Sequence, residues 1–224
     1  MKNQVKDLIR NSLWESCILS SVAHAIMVAH YPEIAHERSW DGVNYKRQDS
    51  QGGRGTITFH SDYCVAAFRS ESSIRYSMSR FKETENYLRG APSNIINLAQ
   101  TDAFQYLLEE KGSRIVPSIT AAFSIIENKY YSTDSYDLMY QHGGYLLENE
   151  LLDIQEAFDA LTEEYEMTKD QSSLLWSIFK KKIANPNIEI LLTKEEIDRI
   201  ECDDPEGLEE SRISFEEINI HFSN

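Results

Sequence analysis

Residues 43–67 read VNYKRQDSQGGRGTITFHSDYCVAA, and this stretch decides the fold. Val43 and Tyr45 alternate with polar neighbours, Ile57 and Phe59 alternate with Thr56 and Thr58, and Tyr63, Val65 and Ala67 repeat the step of two. A period of two places successive side chains on opposite faces, as in strands buried on one side. The connections Asp49-Ser50-Gln51-Gly52-Gly53-Arg54-Gly55 and His60-Ser61-Asp62 supply hairpin turn residues, so the stretch predicts a three-stranded antiparallel meander.

On its N-terminal side the period changes. From Gln4 to His30, Val5, Leu8, Ile9, Trp14, Cys17, Ile18, Val22, Ala25, Ile26 and Ala29 recur at steps of three and four, which predicts a long helix ended by Tyr31-Pro32. On the C-terminal side, Ser70 to Pro92 reads as a polar connector with one irregular helix and scattered Tyr76, Phe81 and Tyr87. Thr101-Asp102 opens a helical segment closed by Gly112, and Pro117 suits the first turn of another helix. Tyr145 to Met167 reads as a helix with Leu147, Leu151, Ile154, Phe158, Leu161 and Tyr165 as a narrow apolar seam. Thr168 with Gln171 makes a capping box for a helix ending at Lys180-Lys181-Lys182, stopped by Asn185-Pro186-Asn187. Ile188, Ile190 and Leu192 predict a short strand, and Thr193 with Glu196 a second capping box for a helix to about Cys202. Asp203 to Gly207 reads as a loop, and Ile213, Phe215, Ile218, Ile220 and Phe222 as a bulged terminal strand.

The expected class is α+β: a long N-terminal helix on a small antiparallel meander, then a mainly helical acidic half with a C-terminal strand. Two regions are expected, 1–92 and 93–224. Gly and Pro total 14 of 224 residues and Phe and Tyr total 21, which excludes collagen-like and disordered chains. Cys17 to Ala29 is broken by Ser20, Ser21 and His24 and is too short to span about 30 Å of hydrocarbon. Asp7 and Glu15 do not suit a secretory signal, and Cys17, Cys64 and Cys202 form no paired framework, so a cytoplasmic location is expected.

Charge is the feature furthest from average. Met1 to Gly112 carries 13 basic and 13 acidic residues, so the whole net charge of -15 falls beyond it. Glu148 to Asp170 holds nine acids against Lys169, and Glu195 to Glu217 holds eleven against Arg199 and Arg212. Fields of this sign repel nucleic acid and anionic membranes and attract cationic partners.

Four weaker signals stand beside it. Cys17, Ser20, Ser21 and His24 share a helix face, but a nucleophile and base seven residues apart on one straight helix do not converge on a substrate, so core packing is expected. His24, His30 and His36 with Glu33, Glu37 and Asp41 offer metal-ligand chemistry, yet six residues are about 600° of helical rotation, which turns His24 and His30 apart. Gln51-Gly52-Gly53-Arg54-Gly55 lacks the Lys-Ser/Thr ending of a phosphate loop and precedes a strand, so it reads as a hairpin tip. Trp40, near Arg38, Arg47 and Arg54 in sequence, is expected as a lid on the core or an anchor for a partner.

No catalytic, cofactor or metal residue is therefore assigned. The expected function is a non-enzymatic binding protein that captures and restrains a basic protein, as a toxin inhibitor or immunity protein would. Its contact residues are expected at Glu195, Glu196, Asp198, Glu201, Asp203 and Asp204, at Glu148, Glu156, Glu163 and Glu164, and at Trp40. The alternatives are an accessory subunit of a larger assembly, such as a defence complex, using the Leu147 to Tyr165 seam, and a metal-dependent enzyme using His24, His36 and Asp41.

Overall fold

A computed structural model describes residues 10–77 and 84–223. The chain opens with α1 (Arg10–Val28) and β1 (Arg38–Asp41). A middle segment carries β2 (Asn44–Gln48), β3 (Arg54–Phe59), β4 (Tyr63–Arg69), α2 (Ile74–Ser77), α3 (Ser93–Thr101), β5 (Leu108–Lys111), β6 (Arg114–Pro117), β7 (Ala121–Ile126), β8 (Lys129–Tyr131) and α4 (Tyr136–Gln141). The last third carries α5 (Ile154–Glu164), α6 (Lys169–Ala184), β9 (Ile190–Leu192), α7 (Lys194–Asp198), α8 (Pro205–Glu216) and β10 (Ile220–Phe222). The class is α+β. Among the described residues no helix is long and apolar enough to cross a membrane. The beginning of the expected first helix, with Val5, Leu8 and Ile9, lies outside the described residues, as does Phe81.

Contacts divide the chain into two interleaved units. The sheet unit is Val43–Glu148 with Met1–Asn11, and the helical unit is Ser12–Gly42 with Asn149–Asn224.

In the sheet unit the predicted meander forms as β2, β3 and β4, with Tyr45 opposite Ile57 and Ile57 opposite Ala66. It continues into a strand pair that the sequence reading missed, because β4 also pairs with β7 and β7 with β8, placing Phe123 opposite Ala66 and Tyr130 opposite Ile125. Ala121 to Ile125 is buried without a break, so this strand has no alternation to betray it. Val65, Ala67 and Ala122 meet Tyr87, Leu88, Ile95, Ala99, Phe104 and Leu107 in one core. The expected helix from Thr101 to Gly112 is corrected: α3 stops at Thr101, a 3-10 turn covers Ala103–Leu107, and β5 pairs with β6. Gly112, at φ +63°, makes the turn of that hairpin instead of closing a helix. Pro117 ends β6 and starts no helix.

The helical unit is organised by α1, which is buried on every side from Ser16 to Ala29. A helix apolar all round is a core helix, and Leu19, Val22 and Ile26 share a cluster with Leu161, Leu174, Ile178, Phe215 and Ile220. The single helix expected from Tyr145 to Met167 is corrected to a 3-10 turn over Gly144–Leu147 and α5, whose start is fixed where the Asp153 side chain accepts the Glu156 N–H. Both predicted capping boxes form, Thr168 with Gln171 on α6 and Thr193 with Glu196 on α7, although α7 stops at Asp198. Asp203 to Gly207 is not simply a loop, since Asp204 caps α8 with Pro205 in its first turn. The expected bulged strand therefore becomes α8 followed by β10, which runs parallel to β9 with Ile220 beside Ile190.

Gly207 lies where α8 passes the end of α1, and a Cβ there would stand 2.0 Å from the Ala29 carbonyl oxygen. Backbone cannot swing aside as a side-chain tip can, so Gly207→Ala is expected to lower stability by about 2 kcal/mol or more. A urea titration showing an unchanged midpoint would contradict this close approach.

Candidate functional site

Charge follows the units more sharply than it follows the sequence halves. The helical unit holds 24 Asp and Glu against 8 Lys and Arg, a net -16, while the sheet unit is +1. Several acids there have local structural work at helix starts, where backbone N–H groups and the helix dipole favour negative charge. Asp153 and Asp204 cap α5 and α8, and Glu196, nearly buried, closes its capping box and receives Lys181 Nζ at 2.6 Å. Glu201 accepts a hydrogen bond from the Thr168 hydroxyl at 2.8 Å, and Glu164 one from Asn149 Nδ2 at 2.6 Å. Glu195 is exposed, its carboxyl held below its ordinary range by its own backbone N–H and then by the Thr193 hydroxyl. Glu156 is exposed in the first turn of α5. Glu163, Asp198 and Asp203 are exposed and have no side-chain partner among the described residues. Glu148 is exposed but belongs to the sheet unit.

Trp40 is half-buried against the core of the helical unit. Its indole Nε1 donates to Ser21 Oγ at 2.7 Å, its backbone N–H donates to Glu217 at 2.7 Å, and Ser21 donates to the Cys17 carbonyl at 2.7 Å. His24 is buried, with Nδ1 3.2 Å from the Tyr165 hydroxyl and Nε2 3.5 Å from the Ala35 carbonyl. The same Tyr165 hydroxyl accepts from Arg38, whose guanidinium lies 3.7 Å from Glu150 and 3.9 Å from Glu164. The Arg38 and Glu150 side chains are 2% and 1% exposed, a depth at which isolated charges are not tolerated. The Cys17, Ser20, Ser21 and His24 face is thus part of a packed polar core. His30 donates from Nε2 to the Ile200 carbonyl at 2.8 Å, and His36 and Asp41 are exposed. Among the described residues no group of three or more His, Cys, Asp or Glu is placed to hold a metal ion.

In the sheet unit the glycine loop is closed on itself. Asp49 Oδ1 accepts the N–H groups of Gln51 at 2.8 Å and Gly53 at 2.7 Å, and Oδ2 accepts the Tyr145 hydroxyl at 3.2 Å. The donors an anion would need are already used by a carboxylate. Next to this loop lies a polar cluster that the sequence reading overlooked. Ser70 Oγ is 3.3 Å from the Tyr145 hydroxyl and 3.0 Å from Ser72 Oγ, and the Ser70 N–H donates to Thr120 Oγ1 at 3.0 Å. Thr120 Oγ1 in turn donates to the His142 carbonyl at 2.5 Å. His142 Nδ1 is 2.8 Å from Ser73 Oγ. Arg75 grips Asp134 with two bonds, of 2.6 and 2.9 Å, and donates to the Thr120 carbonyl at 2.8 Å. The serine-rich run from Ser70 to Ser77 and His142-Gly143-Gly144 were the only sequence signals for it.

No family model matches the chain, and comparison with curated proteins and with solved structures gave no match.

Two substitutions test the polar core of the helical unit. Arg38→Ala removes the guanidinium facing buried Glu150 and is expected to cost about 3–5 kcal/mol. Trp40→Ala gives up a half-buried ring and its bond to Ser21, at about 2–3 kcal/mol. Thermal or urea midpoints close to wild type would place both side chains outside the core.

Proposed function

We propose that the helical unit is a capture module for a basic protein, restraining that partner as an inhibitor or immunity protein does. The observation that carries this reading is the segregation of charge, -16 in one compact unit against +1 in the other. Solubility alone does not call for such a division. Self-repulsion among like charges destabilises a compact unit, and spreading the acids over the chain would serve solubility as well. Glu163, Asp198 and Asp203 support the reading further, since they are exposed without a structural partner among the described residues.

The mechanism is electrostatic steering followed by burial of apolar anchors. The negative field raises the association rate, and short-range packing then slows dissociation. Exposed apolar side chains of the same unit, Ile188, Leu191 and Ile213, together with the uncovered part of Trp40, supply candidate anchors. Arg212, bonded to Glu209 and Glu216, pulls the Glu209 carboxyl below its ordinary range and offsets part of the negative charge of α8.

The test is capture of the partner from the host, followed by kinetics on the purified pair. A basic protein is expected, whose association rate falls at least about tenfold between 0.05 and 0.5 M salt as the Debye length shortens from above 10 Å to below 5 Å. Replacing Glu163, Asp198 and Asp203 by Gln or Asn should slow association while leaving the thermal midpoint unchanged, because exposed acids contribute little to folding. A neutral or acidic partner, or a rate indifferent to salt and to these changes, sinks the proposal.

A further inference from the structure

The sheet unit holds a hydroxyl and an imidazole in the relation that nucleophilic catalysis uses. Ser73 Oγ lies 2.8 Å from His142 Nδ1, and it also accepts the Arg75 N–H at 3.2 Å. In the imidazole tautomer with the proton on Nε2, the serine hydroxyl donates to Nδ1, and that is the tautomer this chemistry requires. Burial, and after it the Arg75 charge, pushes the His142 pKa below its ordinary value, with Asp134 opposing; the ring is neutral and able to act as a base at physiological pH.

The surroundings hold the pair in place. Thr120 Oγ1 pins the His142 carbonyl, and the Ser70 N–H pins Thr120, which fastens the end of α4 to the loop that carries Ser73. Gly143, at φ +146°, lets the chain turn directly after the histidine, where a Cβ would stand 2.4 Å from Phe68 Cβ. Arg75 is neutralised by Asp134, so neither contributes a net charge that would select an ionic substrate.

We propose that Ser73 and His142 form a nucleophile and general base acting on small, uncharged esters. Ser73 Oγ adds to the ester carbonyl carbon while Nδ1 of His142 takes the hydroxyl proton. The adduct collapses with breakage of the acyl C–O bond, and the leaving alkoxide departs as an alcohol with the proton returned by His142. A water, deprotonated by the same nitrogen, then adds to the acyl-serine and releases the carboxylic acid and the Ser73 hydroxyl. One water is consumed and no oxidant or metal enters. Ser73 and His142 are 6% and 7% exposed. This chemistry lies in the other unit from the capture surface, and either can fail without the other.

A purely structural alternative gives the same distances: Ser73 would only cap α2 and tie it to α4. The full chain treated with diisopropyl fluorophosphate, with the adduct located by mass spectrometry, separates the two. The expected result is a single adduct on Ser73, absent in Ser73→Ala, forming at least about 100-fold more slowly in His142→Gln. Because His142→Gln could also loosen the fold, the wild-type labelling rate is followed against pH. It should rise through one ionisation below the ordinary histidine value and be level by neutral pH. Hydrolysis of p-nitrophenyl acetate should follow the same profile and be lost with the adduct. No adduct on Ser73, equal labelling of Ser70 or Ser72, or a rate that climbs with hydroxide through pH 8 overturns the proposal.

Discussion

A guanidinium almost wholly removed from water constrains the helical unit. Arg38 leaves hydration for Glu150, Glu164 and the Tyr165 hydroxyl, and the attraction offsets the loss only when the geometry is kept. Arginine suits the position because its planar fork addresses several acceptors at once, which the point charge of lysine does not. The arrangement sets the register of α5, since Glu164 is also held by Asn149 and Tyr165 also meets His24. Two polar residues of α1 are accommodated by the same core, although Ser20 Oγ is buried without a hydrogen-bond partner among the described residues. Ser21 and His24 of α1 are satisfied by Trp40 and Tyr165, so burying them leaves those groups hydrogen-bonded.

Around this core the acids divide into two populations. Asp153, Glu196 and Asp204 stand at helix starts and accept backbone N–H groups, where the negative charge stabilises the element that carries it. Glu163, Asp198 and Asp203 are exposed and cap no helix. A unit that keeps both kinds has more negative charge than its helices require.

How much of this was legible in the sequence depended on whether the signal was local. The meander was readable because Ile57 and Phe59 alternate with threonines, and the caps of α6 and α7 because Thr-x-x-Gln and Thr-x-x-Glu are short motifs. β7 was not, because a strand buried on both faces resembles any apolar run. α8 was misread from the alternation of Ile213 and Phe215, although Asp204-Pro205 had marked its start. At the level of sites, net charge is a count and needs no fold, so the acidic region was visible at once. The Ser73 and His142 pair joins residues 69 apart, one of them in a connector that looked featureless, and only the sheet brings them together.

The interleaving of the two units sets an order on synthesis. The apolar faces of α1 are made early, but the segments that cover them, from α5 to β10, follow the whole of Val43–Glu148. At roughly 5–20 residues per second, a ribosome would leave that helix uncovered for on the order of ten seconds. The sheet unit's strands, by contrast, are complete well before. For a nascent chain this makes α1, buried from Ser16 to Ala29, a natural client for a chaperone until the segments that follow Val43–Glu148 have been made.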